Sequence, residues 1–201
     1  MEDFNRHCLF TQFTSDLLAH PELNQSIYHL QHDSGFNINI ILYFLWLAKS
    51  RYGRLSKRNL KDLEAQVMLW HRRVIAELKY TYALLTGHTD SISVKIKHLL
   101  EEEIAKAHMI EQCMMYESKI KTKVLRRTPQ QQLMDGCASM LYYCELKNDL
   151  LIEEDKAAFN QLFYFVFDTF SRAEVEQEIT LAFNQLKVNP GISVQLMWEA
   201  F

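Results

Sequence analysis

The segment Ile38 to Ala48 constrains the fold of this chain more than any other feature. Every residue in it except Asn39 is apolar or aromatic, and Lys49 and Arg51 follow. A helix that spans a membrane needs roughly 20 apolar residues, and this run has only about half that length. The segment therefore predicts a short helix that is buried on all sides. An unpaired Asn39 amide would be costly there, so we expect it to have a specific hydrogen-bond partner.

The rest of the sequence has the spacing of amphipathic helices. Glycine and proline are scarce, with 5 Gly and 3 Pro in 201 residues, and apolar residues recur at steps of three and four. Ser56 is placed to cap a long helix that ends near Gly87, and a second long helix is predicted from about Ser93 to Arg127. We expect these two to pack as an antiparallel hairpin. The predicted fold is an all-α bundle of about seven or eight helices around the buried apolar helix.

Capping signals mark where several helices begin. Gly35 suits the left-handed end of one helix, and Asn37 can cap the next. Thr128-Pro129 with Gln131, and Ser171 with Glu174, have the spacing of capping boxes. The best candidate boundary lies near Thr128 and divides an N-terminal region, 1–127, from a C-terminal region, 128–201. We expect the two regions to pack as one globular unit.

Cysteine usage and the N-terminal sequence indicate a cytoplasmic protein. The four cysteines contain no Cys-x-x-Cys pair, and Cys137 and Cys144 lie two helical turns apart, too far to bridge. They are predicted to be reduced, packed thiols. The first residues lack the basic and apolar regions of a secretory signal. The net charge of -3 is too small to indicate polyanion binding by the whole molecule.

No motif for catalysis, a cofactor or a metal is found, so the chain is predicted not to be an enzyme. The isolated glycines cannot form a phosphate-binding loop, and no His-Glu-x-x-His pattern occurs. The best metal pattern combines His98 and Glu101 with His108 and Glu111, all on one helix. Metal sites in bundles take ligands from several helices, so these side chains are predicted to lie on a solvated face.

His29 and His32 lie next to Asp33 and have a spacing that would let them share a ligand or switch with pH. In a short amphipathic helix, residues of this kind usually face solvent. We expect both histidines to lie on the surface.

Two basic runs and one aromatic segment are candidate binding surfaces. The first basic run offers Arg51, Arg54, Arg58 and Lys61 to an acidic partner, and the second runs from Lys119 to Arg127, where helix-dipole stabilisation is an alternative explanation. Tyr52 is the only aromatic residue interleaved with these basic residues, so the sequence argues against nucleic-acid binding.

The segment from Phe159 to Phe170 is half aromatic. Its stripe of Phe159, Phe163, Val166 and Phe170 predicts a core helix, whereas an alternative is an exposed partner groove. The partner-binding candidates from this region are Tyr164, Phe165, Trp198 and Phe201.

One family resemblance covers roughly residues 8 to 117. It is carried in order by Leu30 to Asn39, Leu42 to Ala48, Trp70 to Val74, Val94-Lys95 and Glu101 to Ala105. These residues resemble an uncharacterised proteobacterial family of small helical proteins with the signature L-Q-x(3)-G-x-D/N-V/I-N followed by W-L-A. The resemblance implies no activity.

Within that signature, the chain keeps the spacing of Gln31, Gly35, Asn39 and Trp46. His32 and Asn37 stand where the family often has Asp. We expect Gln31, Gly35, Asn39, Trp46 and Trp70 to have structural roles.

The size, the helical composition and the lack of an active site are also similar to LvgA-type adaptors of the Dot/Icm type IVB secretion coupling complex. That resemblance implies a cytoplasmic virulence subunit that docks with IcmS/IcmW-type chaperones on the tail of a coupling ATPase and helps recruit effectors. The function favoured at this point is a non-enzymatic adaptor. The alternatives are an all-α enzyme or ligand-binding protein with a cavity lined by Asn39, Trp46 and Trp70, or a nucleic-acid-associated factor that uses the basic runs.

Overall fold

The computed structural model describes residues 8–118, 120–121, 123–147 and 152–186, and within these ranges the protein is helical with no strand. The helices are α1 Leu9–Leu18, α2 Asn24–Tyr28, α3 Ile38–Lys49, α4 Lys57–Trp70, α5 Ala76–Leu84, α6 Ser91–Glu117, α7 Pro129–Lys147, α8 Glu153–Val166 and α9 Arg172–Phe183. A 3-10 turn, Pro21–Leu23, precedes α2, and the π-helical segments His29–Asp33 and His71–Ile75 follow α2 and α4. Because α4, the second π segment and α5 form one continuous helix, the predicted all-α bundle of about eight helices is confirmed.

Helix α3 lies at the centre of the molecule. Every residue from Ile38 to Ala48 is buried, and the helix contacts α1, α4, α6, α7 and α8. Its first turn is capped by Asn37, whose side chain accepts a hydrogen bond of 2.9 Å from the Asn39 N–H. Gly35 has the predicted left-handed backbone, with φ of +66°. Among the described residues, no helix is long and apolar enough to cross a membrane.

The predicted antiparallel hairpin is formed by the α4–α5 helix and α6. Ser56 and Asn59 form a capping box at the start of α4. The base of the hairpin packs on α1, α3 and α7. Its outer part is different: none of the residues 76–106 is buried. We call residues 76–106 the arm.

Helix α6 is shorter than its sequence predicts. It ends at Glu117 rather than Arg127, and the described residues from 123 to 128 are not helical. In this stretch the Leu125 N–H donates a 2.8 Å hydrogen bond to the Arg51 carbonyl, and Arg127 forms a 2.8 Å ion pair with Asp135. These two contacts hold a non-helical path that helical periodicity does not reveal. Of the second basic run, Lys123, Arg126 and Arg127 therefore lie beyond the end of α6.

Helices α7 and α8 pack against α3, and α9 packs on α7 and α8. The predicted capping boxes are present: Gln131 and Thr128 exchange hydrogen bonds at the start of α7, and Ser171 and Glu174 do so at the start of α9. Gly136 on α7 lets the rings of Phe163 and Phe167 approach closely. Buried residues from both sides of Thr128 join one hydrophobic core. The boundary between 1–127 and 128–201 stays a prediction.

Candidate functional site

A buried carboxylate on α6 organises the most polar part of the interior. The Glu111 side chain is 0% exposed. One oxygen accepts from Asn37 Nδ2 at 3.1 Å and lies 2.9 Å from His71 Nδ1. The other accepts from Asn39 Nδ2 at 2.5 Å. Two segments, the start of α3 with its cap and the second π segment, thus surround one carboxylate with polar groups, as a buried anion requires.

Asn39 has the hydrogen-bond partners that its burial predicted. Besides Glu111, its Nδ2 lies 2.9 Å from Nδ1 of His108, and its Oδ1 accepts from Gln112 Nε2 at 3.0 Å. Since Nδ2 is a donor, the Nδ1 of His108 must be the acceptor, and a neutral ring then carries its proton on Nε2. We call Asn37, Asn39, His71, His108, Glu111 and Gln112 the polar cluster.

The π segment brings His71 into this cluster. A π turn shifts the helix face, and such turns are frequent at functional sites. Immediately before it, Trp70 Nε1 donates to the Ala107 carbonyl at 2.9 Å and ties the hairpin helices together.

Burial is the main reason why His108 stays neutral. Burial lowers the pKa of His108 to about 4, and the charges of Lys79 and His71 act in the same direction. Glu111 acts in the opposite direction. Burial also lowers the pKa of Lys79, again against the attraction of Glu111. At neutral pH the imidazole of His108 is therefore an uncharged hydrogen-bonding group.

This shift predicts a loss of stability in acid. The unfolded chain takes up a proton on His108 near its ordinary pKa of 6.5, whereas the folded chain does so only at about 4. Between these values the unfolded state binds more protons, so the free energy of unfolding falls as the pH falls, by at most about 3 kcal/mol. Chemical denaturation across this window measures the slope. His108→Asn keeps an acceptor for Asn39 without titrating and is expected to flatten the slope.

The matched control is His88→Asn, which removes an exposed histidine in the loop between α5 and α6. It is expected to keep the wild-type slope. Equal slopes for the wild type and His108→Asn would show that His108 is not the group responsible.

A cavity of about 960 Å³ lies next to the polar cluster, between α1, α2, the first π segment, α3 and α6. Asn39, His108 and Gln112 form part of its wall. The alternative of a ligand-binding protein placed Trp46 and Trp70 in such a cavity with Asn39, and neither tryptophan is among the residues that line this one. Trp46 is packed among aromatic rings, with ring centroids 5.4 Å from Tyr52 and 5.6 Å from Tyr116.

Comparison with known proteins gives one family. The family model described as "Protein of unknown function (DUF2390)" matches residues 10–117, more than half of the chain. This chain belongs to the DUF2390 family. No curated protein and no solved structure matches it. The family assignment confirms the predicted resemblance to an uncharacterised family over nearly the same residues. All six residues of the polar cluster lie within this DUF2390 segment, whereas α7, α8 and α9 lie beyond it.

The DUF2390 segment also contains a second polar cluster, around His29. Its Nδ1 lies 3.1 Å from Asp33 and its Nε2 lies 2.9 Å from Asp155 on α8. The expectation that His29 faces solvent is wrong, because this contact holds its side chain at 17% exposure; His32 is exposed, as expected. Ser34 Oγ is 3.3 Å from His29 Nε2, but its hydroxyl donates to Asp155. The Ser34 hydroxyl therefore has a structural role: its hydrogen bond joins the DUF2390 segment to α8.

The metal pattern on α6 is divided by the fold. His98 is exposed and faces Glu101 and Glu102, whereas His108 and Glu111 belong to the buried polar cluster. The expectation of a solvated face is therefore wrong for the second pair. Among the residues that the structure describes, no group of three or more His, Cys, Asp or Glu side chains is arranged to hold a metal ion.

The basic candidates lie at the start of α4 and just before it. Arg51, Arg54, Arg58 and Lys61 are all exposed. Arg58 lies 3.8 Å from Asp62 one turn away, a contact that is weak in water. Their role in partner binding stays a prediction.

The aromatic candidates are partly covered by their own chain. On α8, Phe159, Phe163 and Val166 are buried. Tyr164 and Phe165 are half-buried: the guanidinium of Arg172 lies 4.7 Å from the Tyr164 ring centroid, and His20 packs on Phe165. Trp198 and Phe201 lie outside the described residues, and all four binding roles stay predictions.

The remaining residues with predicted structural roles are Gln31 and Gly35. Gln31 lies in the wall of the cavity, and Gly35 follows the first π segment. The four cysteines are free, and burial raises the pKa of the Cys137 and Cys144 thiols far above its usual range. Packed, protonated thiols agree with the sequence prediction.

Proposed function

We propose that this chain is a non-enzymatic adaptor that binds a partner protein through the arm, residues 76–106. The observation that carries this proposal is that the arm has no buried residue although it exposes several large apolar side chains. These are Tyr80, Leu84, Ile92, Val94, Ile96 and Leu99. Exposed apolar surface of this kind is typical of interaction sites.

The α6 side of the arm has the pattern of a helix-binding surface. Ile92, Ile96 and Leu99 follow one another at steps of four and three, so they form one stripe. The half-buried Ser93 and Lys97 mark the neighbouring face, which turns toward α5. We infer that the occupant is an amphipathic helix of the partner, which would complete a three-helix bundle with the arm.

A paired substitution on the stripe tests this proposal. Ile96→Glu with Leu99→Glu places two charges on exposed positions, so the fold should tolerate the change. We expect affinity for a stoichiometric partner, captured by the full chain from its native cell, to fall by about tenfold or more. Measurement is by quantitative pull-down followed by titration of the purified pair.

The matched control is Leu181→Glu on α9, which alters an exposed leucine outside the arm. It should leave partner affinity unchanged. Equal affinity of the stripe variant and the wild type would contradict the proposal. Light scattering tests the other possible occupant. If the wild type is self-assembled and the stripe variant is a monomer, the occupant of the stripe is a second copy of the chain and not a partner helix.

A narrower proposal names the assembly. The resemblance to LvgA-type adaptors supports a cytoplasmic role in type IV secretion, with IcmS/IcmW-type chaperones and a coupling-ATPase tail as partners in effector recruitment. Nothing else supports it. Direct titration with those purified proteins tests it: absence of binding would remove the secretion role and leave the arm proposal to its own experiment.

A further inference from the structure

The cavity between α1, α2, the first π segment, α3 and α6 is large enough for a small molecule. Its volume of about 960 Å³ is at the upper end of the range for ligand pockets, roughly 300–1,000 Å³. Much of its wall is apolar, including Leu18, Ile27, Ile38, Leu42 and Met109. A ligand bound here would therefore have a substantial apolar part.

The wall also contains polar groups that have no partner within the described part of the chain. Thr14 is 1% exposed, and both its hydroxyl and the Nε2 of Gln31 lack a hydrogen bond. Buried polar groups are nearly always paired, so such atoms in a cavity wall indicate a missing partner.

His108 adds a further hydrogen-bond donor to the wall. Its Nδ1 is used by Asn39, which leaves the proton on Nε2 as a donor, and His108 lies in the cavity wall. The Nε2 atoms of Gln31 and His108 donate, and the Thr14 hydroxyl can donate as well, so an acceptor such as a carbonyl oxygen suits these three groups.

The charge of the ligand follows from what the wall lacks. Among the described residues, none that lines the cavity is Asp, Glu, Lys or Arg. Placing an ion against a largely apolar wall without a counter-ion is unfavourable. The nearest buried carboxylate, Glu111, is already surrounded by its own donors.

We propose that this cavity binds an uncharged amphipathic acyl compound, with its apolar chain against Leu42 and Met109 and its amide or ester carbonyl at Gln31, Thr14 or His108. Ala105 at the end of the arm lies in the cavity wall, but the stripe residues Ile96 and Leu99 do not, so the stripe variant is expected to leave ligand binding unchanged. The cavity and the arm can therefore be tested independently.

Four probes with the same ten-carbon chain test the charge and the carbonyl: decanamide, methyl decanoate, decanoate and decylammonium. Calorimetric titration of the full chain is expected to give saturable binding of decanamide and methyl decanoate. Their affinities should exceed those of the two ions by about tenfold or more. No saturable binding of either neutral probe up to about 1 mM, or equal affinity for the ions, would overturn the proposal.

Variants of the wall locate the bound probe. Thr14→Val and Gln31→Met keep side-chain volume and remove polar atoms, and each is expected to weaken decanamide binding by about threefold to tenfold. Ala105→Trp introduces a large ring at an exposed position in the cavity wall and is expected to abolish binding. Ala76→Trp, at an exposed position on α5, is the control and should bind as the wild type does.

Thermal unfolding of each variant without ligand shows whether it is folded. A folded Ala105→Trp variant that binds decanamide with wild-type affinity would place the probe elsewhere and overturn the assignment. If Ala105→Trp does not fold, the Thr14→Val and Gln31→Met variants test the assignment instead. Wild-type affinity for decanamide in both of them would overturn it.

Discussion

Asn39→Asp is expected to lower the free energy of unfolding by about 3–5 kcal/mol at neutral pH, although it changes neither the size nor the shape of the side chain. The amide nitrogen of Asn39 donates to Glu111 and to His108. An aspartate oxygen in its place would lose both hydrogen bonds. It would also put a second carboxylate against Glu111 in a site closed to water. Two buried carboxylates in contact disfavour each other's ionised form.

The pH dependence of this variant distinguishes charge repulsion from loss of packing. As the pH falls, one of the two carboxylates takes up a proton and can again donate a hydrogen bond. The difference in stability between the variant and the wild type should therefore be smaller at about pH 5 than at neutral pH. Urea denaturation at both pH values measures it.

Asn24→Asp is the matched control for this substitution. Asn24 is exposed at the start of α2, so the same chemical change should alter stability by less than about 0.5 kcal/mol. An Asn39→Asp variant as stable as this control would show that the polar cluster contributes little to the fold.

Phe44→Ala is expected to cost about 3–5 kcal/mol at any pH where the protein is folded. Phe44 is 0% exposed in the middle of α3, with its ring centroid 6.4 Å from that of Tyr143 on α7. Removing the ring loses its burial energy and leaves a void between two helices that cannot close fully. Denaturant unfolding should show a lower midpoint with an unchanged slope.

Tyr28→Ala on α2 is the matched control, because the ring of Tyr28 is 60% exposed. Its effect should stay within about 0.5 kcal/mol. If Phe44→Ala were equally mild, α3 would not be the helix on which the core depends.

The features that the sequence predicted well are local. Burial of α3 follows from a run of apolar residues with no polar face, because any side of such a helix left in water would be unfavourable. The caps at Asn37, Ser56, Thr128 and Ser171 could also be predicted, because each depends on a side chain and a backbone group only two or three residues apart. These features require no knowledge of the other helices.

The polar cluster could be predicted only in part. A buried Asn39 indicates that a partner exists, but Glu111 and Gln112 are more than 70 residues away in sequence. On their own helix, Glu111 and His108 resemble the exposed His98 and Glu101. Helical spacing places residues on a face, and only packing decides whether that face meets solvent or another helix.

By itself, the sequence determined the all-helical class, the central position of α3 and most helix starts, because hydrophobic spacing and capping act within a few residues. The tertiary structure alone decided that α6 ends at Glu117, that Glu111 meets Asn39, that the arm has no buried residue and that a cavity remains beside the polar cluster. Each of these depends on which helix faces reach one another and which do not. Such distances are set by the packing of the whole chain.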